Sequence, residues 1–285
     1  MEIWPNFFIV GAMKSGTTSL YSYLKQQPGI YLPKEKEPAY FSSIPGGLNP
    51  KRSLTKEEYL DLFKNVKDEK IIGDASVQYL RDPLSHEKIY RQIPNAKIII
   101  MLRNPVDRAY SHYLSKSIES GISISEEIHK DAEKLDEMNL EHDNPLVYGL
   151  YHNQVDRYLK KFGSHQVLIL IYEEFFNDIN YHLGKVLEFL GVPNMVIKTV
   201  KNERYNEYYT PNPITMKFLK NPLIKRIGYS LLPERIRTST YKRLRDLNKT
   251  KPKLNESDKN FLIEFYNDDI KRLQQLLARN LPWTS

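Results

Sequence analysis

Short apolar runs alternate with longer amphipathic segments along most of the chain. Four runs have the length and the apolar, often β-branched composition of buried strands, namely residues 7–10, 71–72, 96–102 and 166–172. Segments with apolar residues at helical spacing separate them. This alternation is typical of an α/β fold with a central, mostly parallel sheet covered by helices. Ligands of such sheets bind at the carboxyl ends of the strands, so the residues that follow each run are the first candidates for a site.

Helical patterns fill much of the remaining chain, and the predicted helices are residues 17–27, 55–64, 105–120, 124–138, 146–162 and 256–280. The last third of the chain differs in character. Residues 199–215 are polar and rich in tyrosine, which is typical of a loop or lid, and residues 222–249 are basic. Because no linker is evident, we predict one domain over residues 1–285. Its α/β core is 1–198, and the lid loop and C-terminal helices of 199–285 pack on that core.

The composition favours an anionic ligand. Lysine and arginine number 42 against 35 aspartates and glutamates, which gives a net charge of +7 and a pI near 9.2. Such a balance suits a polyanion, nucleic acid or an acidic membrane, and it is equally compatible with a solvated basic surface. The chain has no cysteine, which excludes disulfides and thiolate metal sites. No spacing of His, Asp or Glu indicates another metal site.

The apolar runs are strand-sized and too short to span a bilayer. The N-terminus has no basic leader and runs directly into the first predicted strand. A cleaved signal peptide would therefore remove part of the fold. These features predict a soluble, cytoplasmic protein without a membrane span.

The turn after the first strand resembles a phosphate-binding loop with one displaced residue. Gly11 and Gly16 keep the spacing of the loop that binds nucleoside triphosphates, but Thr17 stands in place of its lysine. The backbone N–H groups and the dipole of the following helix still suit one tetrahedral anion. We therefore expect a P-loop-like three-layer α/β/α fold that binds a single phosphate. The residues of this candidate site are Lys14, Ser15, Gly16, Thr17, Thr18 and Ser19.

A second anion site is predicted where the strand at residues 96–102 ends. Arg103 follows the strand directly, Pro105 suits the first turn of a helix, and that helix carries Ser111. A guanidinium and a hydroxyl placed in this way can hold a second phosphate. An arginine at a strand end is by itself more often a structural cap or an ion-pair partner. Combined with the first loop, it favours a second phosphate site.

Together the two motifs resemble the signatures of sulfotransferases that use 3′-phosphoadenosine 5′-phosphosulfate (PAPS). In that family a loop like residues 11–20 binds the 5′-phosphosulfate, and an arginine followed eight residues later by a serine binds the 3′-phosphate, as Arg103 and Ser111 would here. The branch that the chain resembles is the bacterial and Golgi-type one, which includes heparan sulfate sulfotransferases. The resemblance implies PAPS as donor, 3′-phosphoadenosine 5′-phosphate (PAP) as product and no metal. Lys14 would stabilise the leaving phosphate.

The resemblance also implies a general base. Relatives carry it as the glutamate of a Lys-Glu-x-His-Phe-Phe stretch after the first helix, and this chain has Lys-Glu-Pro-Ala-Tyr-Phe at residues 36–41. Glu37 is therefore the expected base, and Lys36 is an expected substrate contact. On spacing alone, the alternating charges of residues 34–37 would be a solvated surface run.

The chain departs from the family pattern at two places, which leaves the acceptor open. Ala39 replaces the family histidine, and Gly-Asp-Ala-Ser at residues 73–76 replaces a Gly-Glu-Lys-Thr-like segment. We place Asp74 with Lys36 at the expected substrate site, as a carboxylate that supports the site, and a strand-end cap is the alternative. Arg204 falls where relatives place a loop over the 3′-phosphate, although the match there is poor.

Two other functions fit parts of the pattern. A P-loop kinase or triphosphatase would use Asp74 as its magnesium carboxylate, but such enzymes need a lysine after Gly16. A non-catalytic polyanion-binding protein would use the basic residues 222–249. His112 and His152 are expected to be structural rather than catalytic.

A saccharide hydroxyl is the leading acceptor, because the relatives modify glycans. Lipid, polyketide and small phenol acceptors stay open, and no nucleic acid partner is expected.

Overall fold

A parallel sheet of five strands lies at the centre of the fold. The computed structural model describes residues 2–44, 47, 53–135, 144–192, 210–211, 249–250 and 253–283. In chain order the strands are β1 Phe7–Gly11, β2 Ile30–Tyr31, β3 Ile71–Ala75, β4 Lys97–Leu102 and β5 Val167–Ile171. They lie side by side in the order β2-β3-β1-β4-β5, and each neighbouring pair is parallel. The predicted parallel sheet is confirmed.

The central strands are apolar along nearly their whole length because both faces of the sheet are covered. Phe8 and Val10 of β1 belong to one buried cluster, whereas Phe7 and Ile9 belong to another on the opposite face. Ile9 pairs with Ile99 of β4, which continues the second cluster across the sheet. The sheet and the helices on its two faces therefore form the three-layer α/β/α architecture that the sequence predicts.

The order of the strands determines where a ligand can enter. From β1 the chain passes to β2 and β3 on one side and then crosses to β4 on the other. Strand order reverses at β1, and the crevice outside the carboxyl ends of strands at such a point is the usual ligand site of an α/β sheet. The anion loop predicted after Gly11 lies at this position.

The helices of the described residues are, in chain order, α1 Thr17–Lys25, α2 Lys56–Asp61, α3 Ser85–Gln92, α4 Pro105–Ser120, α5 Ile124–Ala132, α6 Tyr151–Phe162, α7 Tyr172–Asn177, α8 Ile179–Leu190 and α9 Glu256–Leu277. The predicted start of α4 is confirmed. Asn104 Oδ1 accepts a hydrogen bond from Val106 N at 2.9 Å, and Gly121 ends the helix with a φ of 79°.

Several elements differ from the sequence prediction. The two residues of β2 are too few to carry a period, and they form a strand by pairing with Ile71 and Ile72 of β3. The helix predicted from residue 146 begins only at Tyr151, after a 3₁₀ turn over Val147–Gly149. No individual prediction covered α3, α7 or α8.

The C-terminal helix α9 packs on the core. Leu273 joins the cluster on one face of the sheet, and Leu262 and Tyr266 pack with Ala109 and Tyr113 of α4. Ahead of it, Thr210–Pro211 (β6) and Lys249–Thr250 (β7) pair as an antiparallel ribbon. The rest of the predicted lid and basic segments, including Arg204, lies outside the described residues. Within the described part of the chain, no helix has the length and apolar composition needed to cross a bilayer.

Gly73 gives a test of the sheet packing. A Cβ at this position would lie 2.2 Å from Phe7 Cζ and 2.8 Å from Leu32 Cδ2. We expect Gly73→Ala to lower the free energy of unfolding by about 1–3 kcal/mol or more through overpacking, as measured by urea denaturation. Combining it with Phe7→Leu should cost less than the sum of the two single changes, because the shorter side chain makes room. Additive losses would contradict this packing.

Candidate active site

The loop between β1 and α1 is shaped by residues in the left-handed region of backbone conformation. Gly16 has a φ of 86° and precedes the first residue of α1, and Lys14 has a φ of 65°. A Cβ on Gly16 would lie 2.8 Å from Phe176 Cε2 and 2.9 Å from Tyr172 Cδ2. The position therefore requires glycine. The turn lets α1 start with its free N–H groups at the carboxyl end of β1, which is the arrangement that binds an anion.

The hydroxyl residues of the loop occupy different environments. Ser15, Thr17 and Ser19 are nearly fully buried, whereas Thr18 is half-buried and its Oγ1 accepts a hydrogen bond from Lys36 Nζ at 3.3 Å. Lys14 Nζ donates to Ser115 Oγ on α4 at 3.3 Å. The loop is thus held from two sides.

Arg103 lies against the same loop. Its Nη1 donates to the carbonyl oxygen of Lys14 at 3.4 Å, and its guanidinium carbon is 4.7 Å from the centre of the Tyr172 ring. The carbonyl oxygen of Arg103 accepts a hydrogen bond from the Tyr151 hydroxyl at 3.1 Å. The two predicted anion sites therefore share a boundary at the Lys14 peptide.

Ser111 lies on the same helix face as Ser115, because residues four apart on a helix are neighbours. Ser115 accepts the hydrogen bond from Lys14, so Ser111 lies one turn nearer the start of α4 than that contact. The side chain of Ser111 is half-buried. Arg103 precedes α4 by two residues, and Ser111 lies at the end of the second turn of that helix.

The predicted base is joined to the anion loop by one ammonium group. Lys36 Nζ lies 2.8 Å from Glu37 Oε1 and also donates to Thr18. Lys34 and Glu35 are exposed, whereas Lys36 and Glu37 have 17% and 34% of their side chains exposed. The second half of this charge run is thus turned toward the loop instead of being fully solvated.

Asp74 lies near the end of β3, in the buried core. Its side chain is fully buried. Oδ1 accepts from Ser76 Oγ at 2.7 Å, and Oδ2 accepts from the hydroxyls of Tyr59 and Tyr79 at 2.9 and 2.8 Å. Burial raises the pKa of Asp74 to about 6, against the opposing effect of these three hydroxyl donors. Asp74 therefore makes no direct contact with a ligand, because its side chain is fully buried, and of the roles expected for it only an indirect one is compatible with this position.

The histidines weighed as alternative bases have structural surroundings. His112 is buried against Tyr148, with its Nδ1 3.4 Å from Arg108 Nη1. Burial, followed by the charges of Arg108 and Lys14, lowers the pKa of His112 well below its ordinary value. His152 lies in the first turn of α6, and its Nδ1 is 2.9 Å from Asn153 Oδ1.

Two neighbours of the site were missed by the sequence analysis. Tyr172 packs on both Gly16 and Arg103, and its signal was its place directly after β5 at the functional edge of the sheet. Ser115 was detectable as the residue one helical turn beyond Ser111. Among the described residues, no group of three or more His, Asp or Glu side chains could hold a metal ion.

The groups at this edge of the sheet suit a nucleotide with separate phosphates. Three cationic residues contact or belong to the loop: Lys14 lies in it, Lys36 donates to Thr18, and Arg103 donates to the carbonyl oxygen of Lys14. Lys14 cannot fill the position of a triphosphate-loop lysine, since it precedes Gly16, and Asp74 cannot reach a magnesium ion. Fold and site together define a P-loop-like group transferase that differs from the triphosphate enzymes.

Comparison with known proteins identifies the family. A family model described as "Sulfotransferase domain" matches residues 5–217. The crystal structure of a sulfotransferase from Alicyclobacillus acidocaldarius is 30% identical with a TM-score of 0.70, and the match covers 98% of each chain. The chain belongs to the sulfotransferase family, so the predicted family, enzyme class and P-loop-like fold are confirmed.

Two curated relatives are similar over part of their length. Carbohydrate sulfotransferase 15 of Homo sapiens is 27% identical over 245 residues, which are 66% of this chain and 44% of that protein. Bifunctional heparan sulfate N-deacetylase/N-sulfotransferase 4 of Mus musculus is 26% identical over 290 residues, which are 96% of this chain and 30% of that protein. The chain thus spans less than half the length of these relatives.

Two buried aspartates, Asp74 and Asp82, should change the free energy of unfolding with pH in opposite directions. A carboxyl whose pKa is raised on folding binds its proton more tightly in the folded state, so its contribution to stability falls as pH rises from its unfolded pKa to its folded pKa. For Asp74 this window runs from 3.8 to about 6, and the shift corresponds to about 3 kcal/mol. Wild type should therefore lose about 2 kcal/mol relative to Asp74→Asn between pH 4 and pH 7 in urea denaturation, since part of the change already occurs below pH 4.

Asp82 is the matched control. Burial would raise the pKa of Asp82, but hydrogen bonds from Ser43, Leu84 and Ser85 outweigh burial and lower it. The stability that Asp82 contributes is present above its unfolded pKa and is lost as pH falls. The free energy of unfolding of wild type should therefore increase relative to that of Asp82→Asn as pH rises. Differences of the same sign for both variants would contradict this account.

Proposed function

We propose that the protein transfers a sulfuryl group from PAPS to an acceptor hydroxyl, with Glu37 as general base and Lys14 beside the leaving phosphate. The observation that carries the proposal is the Lys36 ammonium, which contacts both Glu37 Oε1 and Thr18 of the anion loop. A base must lie within hydrogen-bond reach of the proton that it removes. Through Lys36, Glu37 is held next to the loop that would bind the transferred group.

The loop residues would hold the donor by its 5′ end. The N–H groups of residues 14–19 bind an oxyanion, and Thr18 and Lys36 offer a hydroxyl and a cation at the open side. The Lys14 ammonium neutralises charge that develops on the leaving oxygen. Arg103 and Ser111 would hold the 3′-phosphate through a guanidinium and a hydroxyl. When bound, the donor supplies the sulfuryl group, and the protein supplies positioning and charge stabilisation.

The rival phosphate-transfer functions are less well supported. A kinase or triphosphatase of this fold needs a magnesium carboxylate, and both oxygens of Asp74 are already occupied by hydroxyl donors. It also needs the lysine that Thr17 replaces. A purely polyanion-binding role would not require a carboxylate beside the anion loop, yet Glu37 is held there by Lys36.

A saccharide hydroxyl is the acceptor that we propose. The names of the two curated relatives place carbohydrate and heparan sulfate among their substrates. Because the chain spans less than half of those proteins, their substrates enter here as candidates. Lipid, polyketide and phenol acceptors are the alternatives. The cytoplasmic location stays a prediction.

Glu37→Gln tests the catalytic assignment. Loss of a general base lowers turnover by roughly 100-fold or more, so transfer of ³⁵S from labelled PAPS to a panel of neutral and desulfated heparan oligosaccharides should fall by that factor. Glu35→Gln is the matched control, because it removes the same charge from an exposed neighbour, and it should retain wild-type turnover. Equal activity of wild type and Glu37→Gln on any acceptor of the panel, which also includes a phenol and a β-hydroxyacyl thioester, would refute the assignment.

A further inference from the structure

The segment that carries Glu37 has an unfavourable backbone conformation. Glu37 and Ala39 have φ values of 66° and 56°, although neither is glycine. Residues with side chains adopt this left-handed region only when the surrounding structure imposes it, and such residues cluster at functional sites. Contacts around residues 36–39 must therefore hold Glu37 in place.

Two hydrogen bonds tie this segment to the end of β3. Glu37 N donates to the carbonyl oxygen of Ala75 at 3.0 Å, and Ala39 N donates to Ser76 Oγ at 3.0 Å. On the other side, a Cβ on Gly47 would lie 2.6 Å from the Glu37 carbonyl oxygen and 2.5 Å from Ala39 Cβ. The segment is thus packed between Gly47 and the carboxyl end of β3.

The direction of the Ser76 hydroxyl depends on Asp74. A serine hydroxyl has one proton to donate, and its lone pairs accept. Because Ser76 Oγ donates to Asp74 Oδ1 at 2.7 Å, its lone pairs are left to accept from Ala39 N. Tyr59 and Tyr79 fix the other carboxylate oxygen within the core. A connected set of hydrogen bonds therefore runs from the buried core to the backbone next to the proposed base.

We propose that Asp74 and Ser76 are positioning residues for sulfuryl transfer, which hold Glu37 at the anion loop through the Ala39 backbone. The inference rests on the proposed function of Glu37 as base. Neither residue needs to touch substrate, and this fits the full burial of both side chains. It also gives a physical role to the segment at residues 73–76, which departs from the family pattern.

Ser76→Ala tests the proposal directly. The change removes the acceptor for Ala39 N, and a displacement of a catalytic group by about 1 Å can lower turnover roughly 100-fold. We expect kcat with PAPS and the best acceptor of the panel to fall roughly 10- to 100-fold, with the KM for PAPS within about twofold of wild type.

Tyr59→Phe is the matched control. It removes one hydroxyl donor from the other oxygen of the same carboxylate, keeps the ring that stacks on Tyr40, and leaves the bond between Ser76 and Ala39 in place. Its melting temperature should fall, but its kcat should stay within about twofold of wild type. If the two variants lowered kcat equally, the role of Ser76 and Asp74 would be structural and the proposal would be wrong. Asp74→Asn is the second variant should Ser76→Ala not fold, and it should show the same loss of kcat.

A double-mutant cycle separates this inference from the proposed function. If Ser76 acts through Glu37, Ser76→Ala should have no further effect on kcat in the Glu37→Gln background. If Glu37→Gln loses kcat while Ser76→Ala keeps the kcat of wild type, the positioning roles of Asp74 and Ser76 are wrong and the proposed base still stands. Full activity of Glu37→Gln overturns the proposed base and the inference with it.

A crystal structure of Ser76→Ala gives a readout that needs no acceptor. The Glu37 carboxylate should move by about 1 Å or more relative to wild type. An unchanged position would overturn the proposal.

Discussion

The left-handed turn at Gly16 controls the geometry of the whole site. It sets where α1 begins, and so it directs the first N–H groups of that helix toward the carboxyl end of β1. The ring of Tyr172 lies where a side chain at this position would be and also stacks on Arg103. One close contact therefore places the two predicted anion sites side by side. Because strand order reverses at β1, the crevice that a ligand needs opens at the same point.

The charged side chains of the site lie on either side of this turn. Lys14 reaches across to Ser115 on α4, and Lys36 connects Thr18 of the loop with Glu37. Lys14 and Lys36 thus lie on opposite sides of the loop that precedes α1, and the Glu37 carboxylate lies beside Lys36. That arrangement suits group transfer between two oxygens, where the protein stabilises charge and removes a proton, and it requires no metal-binding carboxylate.

Sequence analysis predicted the parts of this structure that depend on local pattern. Continuous apolar runs gave β1 and β4, and Pro105 marked the start of α4 because its ring fits a first helical turn. The short strand β2 was missed because two residues carry no period and pair only once β3 is in place. The choice between the two roles expected for Asp74 was left open for a similar reason. Its partner Ser76 is close in sequence, but Tyr59 belongs to α2, so the full set of hydrogen bonds and the burial of the carboxylate depend on tertiary packing.

The central claim is that one adenosine nucleotide with a phosphate at each end binds across the loop at residues 14–19 and Arg103. Calorimetric titration of wild type and Arg103→Ala with PAP and with ATP–Mg²⁺ tests it most directly. Wild type should bind PAP more tightly than ATP–Mg²⁺, and Arg103→Ala should weaken PAP binding by at least roughly tenfold, since it removes a charged hydrogen-bond donor from the 3′-phosphate. Tighter binding of ATP–Mg²⁺, or an unchanged affinity of Arg103→Ala for PAP, would contradict the account.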